Sequence, residues 1–157
     1  MRIIGKETIH PALFYTGKVC GYLAWILLLL SIVGAVDIGR NPIVVLVLLS
    51  YFVSAVGLCL STISVLNLGR STRLGLPTER TELKTNGPYK FSRNPMYVGF
   101  DLLTLSSVIY HANLIVLAMG AYSLVVYHLI ILGEEAYLRR EFGSTYGQYR
   151  AKVRRYV

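Results

Sequence analysis

The sequence predicts an all-α integral membrane protein with about four transmembrane helices and a C-terminal amphipathic, interfacial helical segment. Three observations predict it. Apolar residues make up 54% of the 157 and charged residues only 15%, against roughly 25% charged in soluble domains, and mean hydropathy is +0.54. The apolar residues fall in blocks, with residues 19–36 and 43–68 free of charge, each long enough to cross a bilayer. The charges collect between those blocks, as they do around spans. One membrane domain, residues 1–157, accounts for this length.

Residues 1–18 hold Arg2, Lys6 and Lys18 against Glu7. No small-residue cleavage site follows the first apolar run before polar sequence resumes, so a cleavable signal peptide is not expected. The first span is residues 19–36, and a short connection carries Asp37 and Arg40, which cancel. The second span is residues 43–68. The loop 69–95 then holds Arg70, Arg73, Arg80, Lys84, Lys90 and Arg93 against Glu79 and Glu82. Residues 96–132 carry one charge, Asp101, and are too long for one crossing of about 20 residues. They read as two antiparallel spans, 96–110 and 114–133, broken at His111-Ala112-Asn113. The tail, residues 134–157, has six basic residues and three acidic ones. Within it Leu138, Phe142, Tyr146, Tyr149, Val153 and Tyr156 recur at helical spacing among arginines and lysines, which suits the membrane interface. Gly143 is expected to break the tail into two helices, with Ser144 as a cap.

The basic segments at both ends and in the 69–95 loop lie on one side of a four-span topology. The positive-inside bias makes that side cytoplasmic, with both termini and the active site on it. The same placement explains the net charge of +8 as attraction to anionic lipid, without nucleic acid. Cys20 and Cys59 sit in or beside apolar runs and read as small hydrophobes. His10, His111 and His128 are far apart in sequence and lack cysteine partners, so no metal is expected.

Ionisable groups at a membrane edge are functional candidates. Three places qualify: Arg93-Asn94-Pro95-x-Tyr97-x-Gly99, the isolated Asp101, and Glu134-Glu135. Folding residues 96–133 as a hairpin returns the first and last to one depth. The competing structural reading has Arg93 paired with one glutamate to close the bundle.

Gly87-Pro88-Tyr89-x-x-x-Arg93-Asn94-Pro95-Met96-Tyr97-Val98-Gly99 resembles the G-P-Y-x-x-x-R-H-P-x-Y-x-G signature of isoprenylcysteine carboxyl methyltransferases. Glu134-Glu135, followed by Leu138, Phe142-Gly143, Tyr146, Tyr149, Val153 and Arg155, is similar to that family's C-terminal stretch. Phosphatidylethanolamine methyltransferases share N-P-M-Y-x-G and a paired glutamate after a helical hairpin. The resemblance covers about residues 67–157. Asn94 replaces the commoner histidine, as in the phospholipid branch, and Asn67-Leu68-Gly69 lacks the first glycine of that branch's G-x-G element. The isoprenylcysteine branch also commonly runs on through an aromatic-Ile-Pro ending where this chain has Tyr156-Val157.

The resemblance implies a membrane methyltransferase that uses S-adenosylmethionine. Arg93 and Asn94 take the positions of its catalytic residues, although no general base is assigned to Asn94. Tyr89, Arg93, Pro95, Tyr97, Gly99, Glu134 and Glu135 are the expected cofactor-binding residues. Carboxylates suit the cofactor's ammonium or ribose hydroxyls, Arg93 and the turn before Pro95 its carboxylate, and the faces of Tyr89 and Tyr97 its sulfonium. The expected acceptor is lipophilic and membrane-resident, with carboxylate O-methylation of isoprenylcysteine type first and phospholipid ethanolamine-type N-methylation as the alternative. An NADPH-dependent reductase of the sterol-reductase type is a second alternative. It fits less well, since Met96 and Phe100 stand where its motif has Asn and Glu. A non-catalytic scaffold is the third, opposed by the intact Arg93, Tyr97 and glutamate pair.

Overall fold

The computed structural model describes residues 9–69 and 83–157. The expectations for Arg2, Lys6, Glu7, Arg70, Arg73, Glu79, Arg80 and Glu82 fall outside those residues.

Four helices form, without a named strand among the described residues: α1 (Pro11–Ile32), α2 (Val44–Leu68), α3 (Pro95–His111) and α4 (Leu114–Lys152). Three of them, α1, α2 and α4, are long and apolar enough to cross a membrane. The fourth, α3, has 17 residues and rises about 26 Å at 1.5 Å per residue, close to a hydrocarbon core of roughly 30 Å.

Helix α1 begins eight residues before the apolar run at Val19. Pro11 occupies its first turn, where a missing N–H is harmless, and the His10 side chain accepts from Ala12 N. Lys18 therefore lies inside the helix and not before it. Helix α3 ends at His111, Ala112 adopts the left-handed conformation, and Asn113 caps α4 by accepting from Ile115 N and Val116 N. The expected hairpin turn thus falls at its expected residues. Helix α4 runs on past its apolar part to Lys152 and bends at Gly143, where φ is 49° and ψ −121°. That backbone suits glycine, and the bend turns the tail back toward α3.

Helix α3 packs against each of the other three. Its tightest neighbour is α2, whose buried face is the small-residue stripe Ser50, Gly57, Ser61 and Ser64. Small residues let helix backbones approach closely where lipid gives no hydrophobic drive. A Cβ on Gly99 would lie 2.7 Å from Ser61 N and 2.8 Å from Gly57 O. The serine hydroxyls return to their own helix, Ser61 to Leu58 O and Ser64 to Leu60 O, so close packing leaves them satisfied. On the opposite flank Phe14, Tyr97, Val126, Tyr127, Ile130 and Ile131 form the core between α1, α3 and α4. The lipid-facing side of α2 stays apolar, with Val45, Phe52 and Leu66 about two-thirds exposed or more.

Candidate active site

The two sequence motifs meet at one end of the bundle. The short turn Gly87–Lys90 stacks on the end of α2, where Gly87 has φ 58° and leaves no room for a Cβ beside the Asn67 amide. Tyr149 Oη, from beyond the α4 bend, donates to Tyr89 O at 2.6 Å. Residues 92–94 then run beside the tail: Arg93 N donates to Arg154 O at 2.9 Å, and Ser92 Oγ to Arg155 O at 3.2 Å. This is a single parallel bridge.

The adjacent glutamates face different surroundings, because neighbouring residues on a helix point about 100° apart. Glu135, 3% exposed, is held from both sides. Arg93 donates through Nε and Nη2 to Oε1 at 3.1 and 2.7 Å, and Arg155 through Nε and Nη2 to Oε2 at 3.2 and 2.9 Å. Arg93 Nη1 is spent on Val153 O at 2.6 Å. Asn94 does not cap α3; its Nδ2 donates to Glu135 Oε1 at 3.4 Å and to Arg155 O at 3.2 Å. Both glutamates stand beyond Gly133, outside the apolar part of α4. Burial pushes the Glu135 carboxyl up, but hydrogen bonds and charge from Arg155 and Arg93 outweigh it and hold it below its ordinary value.

Glu134 faces the other way. Tyr97 Oη donates to its Oε1 at 2.7 Å. Burial raises its carboxyl, against that hydrogen bond and the charge of Lys18. Tyr89 lies within electrostatic reach of the same carboxylate, and its phenol is raised by burial first and by Glu134 second. Lys18, from α1, completes this corner. It is 8% exposed, its Nζ sits 3.9 Å above the Phe14 ring centroid, and it feels the charge of Glu134.

The residues anticipated from the sequence therefore divide. Tyr89, Tyr97 and Glu134 come together around a carboxylate with lone pairs to spare. Arg93, Asn94 and Glu135 form a closed ion-pair layer beside them. Pro95 opens α3 and is buried, whereas Gly99 faces α2. Asp101 lies about one turn deeper than Tyr97, and its Oδ1 is buried without a hydrogen bond. Sequence reasoning missed Lys18, treating it as a flanking charge. Pro11 as a helix opener, which puts Phe14 one turn before Lys18, was the available signal. It also missed that Arg155 shares Glu135 with Arg93.

This donor set suits S-adenosylmethionine: an accessible carboxylate, two aromatic rings and a cation without a hydrogen bond among the described residues offer charges of both signs and faces for a sulfonium. The profile of the phospholipid methyltransferase family matches residues 45–145, well over half of the chain. A protein-S-isoprenylcysteine O-methyltransferase from Schizosaccharomyces pombe is 39% identical over 74 residues, covering 45% of this chain and 30% of that relative. The match thus spans less than a third of the relative's length.

Proposed function

We propose that this chain, which belongs to the phospholipid methyltransferase family, transfers a methyl group from S-adenosylmethionine to a lipophilic acceptor held in the membrane. The observation that carries the reading is the convergence of the two motifs, with Tyr97 of α3 donating to Glu134 of α4 across a sequence separation of 37 residues. When bound, the cofactor supplies an electrophilic methyl on a sulfonium. Glu134 would accept hydrogen bonds from its ammonium or ribose, and Tyr89 and Tyr97 would offer their rings to the sulfonium. Arg93 and Asn94, occupied by Glu135 and the tail, hold the floor of the site in register. Displacement at a methyl group asks the protein for alignment and exclusion of water, and no covalent nucleophile is needed.

The acceptor's hydrocarbon part has a natural approach. A groove of about 280 Å³ lies along Ser61, Thr62, Val65, Leu66 and Phe100. The Phe100 ring meets Tyr97 edge-on at 6.1 Å, so the groove reaches the wall of the site. Carboxylate O-methylation of an isoprenylcysteine-like acid is the first reading, supported by the named relative and by the tyrosines of the tail. Phospholipid amine N-methylation is the second, supported by the family profile and by the unpaired Asp101 Oδ1, which would favour a cationic head group. Base-labile methyl product in membranes identifies an ester; label in base-stable lipid head group identifies the amine.

Binding tests the cofactor directly. Detergent-purified protein is expected to bind S-adenosylhomocysteine and not NADPH, and the reverse selectivity would replace methyl transfer with reduction. Sidedness follows from the charge distribution. An impermeant reagent applied outside should label a cysteine at Asn113 and spare one at Thr85, and the opposite pattern would invert the topology.

A further inference from the structure

The sequence assigns Arg93 to the cofactor's carboxylate, but its Nε, Nη1 and Nη2 all bond within the protein. Arg155 is bound to the other oxygen of Glu135. Among the described residues, the buried cation left without a hydrogen bond or ion pair is Lys18. It comes from α1, outside the residues matched by the family profile.

Its placement is constrained. Gly17, the residue before it, has no room for a side chain against Val126 of α4, so the α1 backbone is pressed onto α4 there. The Lys18 stem runs back toward the N-terminal end of α1 and sets the ammonium over Phe14, one turn earlier. Long basic side chains in a span reach toward the interface in this way. Phe14 belongs to the same core cluster as Tyr97, and Glu134 is the charge that Lys18 feels. Lys18 is 8% exposed, and its ammonium meets no acceptor among the described residues, so it is free to take an anionic partner.

The corner thus brings one positive and one negative group within electrostatic reach of each other without pairing them. A lone carboxylate would meet Glu134 as well as Lys18, and a lone ammonium would meet Lys18 as well as Glu134. An α-amino acid end carries both charges on one carbon and complements both. We infer that Lys18 binds the carboxylate of the methyl donor's amino-acid end while Glu134 takes its ammonium. This assignment rests on the S-adenosylmethionine reading above and is independent of the acceptor.

The experiment compares S-adenosylhomocysteine with its carboxamide, in which the carboxylate charge is removed, on detergent-purified full-length protein. Unmodified protein should prefer the carboxylate by on the order of 10- to 150-fold, the range of a charge-assisted hydrogen bond. Lys18→Met should lose that preference by weakening S-adenosylhomocysteine alone, and Lys18→Arg should restore part of it. A preference that persists undiminished in Lys18→Met overturns the assignment and leaves the donor reading standing. Absence of any preference in unmodified protein overturns it without a variant, which covers the case where Lys18→Met does not fold. If unmodified protein binds neither ligand, the donor reading falls and this inference falls with it.

Discussion

Two corners of the same membrane edge are built around adjacent carboxylates and end in opposite states. At Glu135 every strong partner is already in place: two guanidinium groups, an asparagine amide and the returning tail. At Glu134 one phenol bonds one oxygen, and the nearby Lys18 ammonium makes no hydrogen bond among the described residues. A saturated network fixes geometry, and an unsaturated one is able to take a ligand. Sequence proximity therefore says little about shared role, and under the proposed function the glutamate pair divides into a structural half and a binding half.

The sharpest way to break this division is Glu135→Gln. Removing one member of a buried charge network leaves the others uncompensated, at about 3 kcal/mol, the lower end of the usual range, because the Arg155 side chain is 31% exposed. A large fall in thermal stability in detergent is expected, with S-adenosylhomocysteine affinity per folded molecule little changed. Normal melting with lost affinity would reverse the two roles. Acid sharpens the same point. The folded-state pKa of Glu135 lies below its ordinary 4.5, so its stabilisation is whole above that value and is lost as pH falls through the lower, folded one. Melting temperature should fall on acidification below about pH 4.5, and Glu135→Gln should lack this component of the fall.

The complementary change, Glu134→Gln, should spare stability and weaken S-adenosylhomocysteine binding by on the order of 10- to 150-fold, as a charge-assisted bond becomes a neutral one. Unchanged affinity would remove Glu134 from the binding half. Gly99→Ala tests the packing that supports both corners. Its methyl group would press on Ser61 N and Gly57 O, and backbone cannot yield as a side chain can. A loss of about 1–3 kcal/mol should appear in detergent melting, and a neutral substitution would show that α2 and α3 separate freely. The smallest effect belongs to Tyr149→Phe, which deletes the hydrogen bond to Tyr89 O for about 1 kcal/mol. A modest drop in affinity with near-normal melting is expected. A large melting change would move Tyr149 from the binding half to the structural one.

Much of this frame was legible in the sequence. Long apolar runs located the helices approximately, His111-Ala112-Asn113 marked the hairpin, and Gly143 marked the bend, because each is a local property of a few residues. The meeting of the motifs followed from hairpin geometry alone. The division of labour within Glu134-Glu135 was not legible, since it depends on which side of α4 faces α1 and which faces the tail. The resemblance gives Asn94 a catalytic position, and only the fold shows its amide turned to the returning Arg155 carbonyl and to Glu135. Lys18 was hidden by the habit of starting a span at the first uninterrupted apolar residue, when Pro11 had already started the helix.

The bridge between residues 92–94 and the tail also sets an order of events during synthesis. Arg93 leaves the ribosome sixty residues before Val153, whose carbonyl it needs, and Glu135 follows without its second guanidinium. The ion-pair layer therefore stays incomplete while the helices form, and it closes only once residues 153–155 fold back against Arg93 and Glu135.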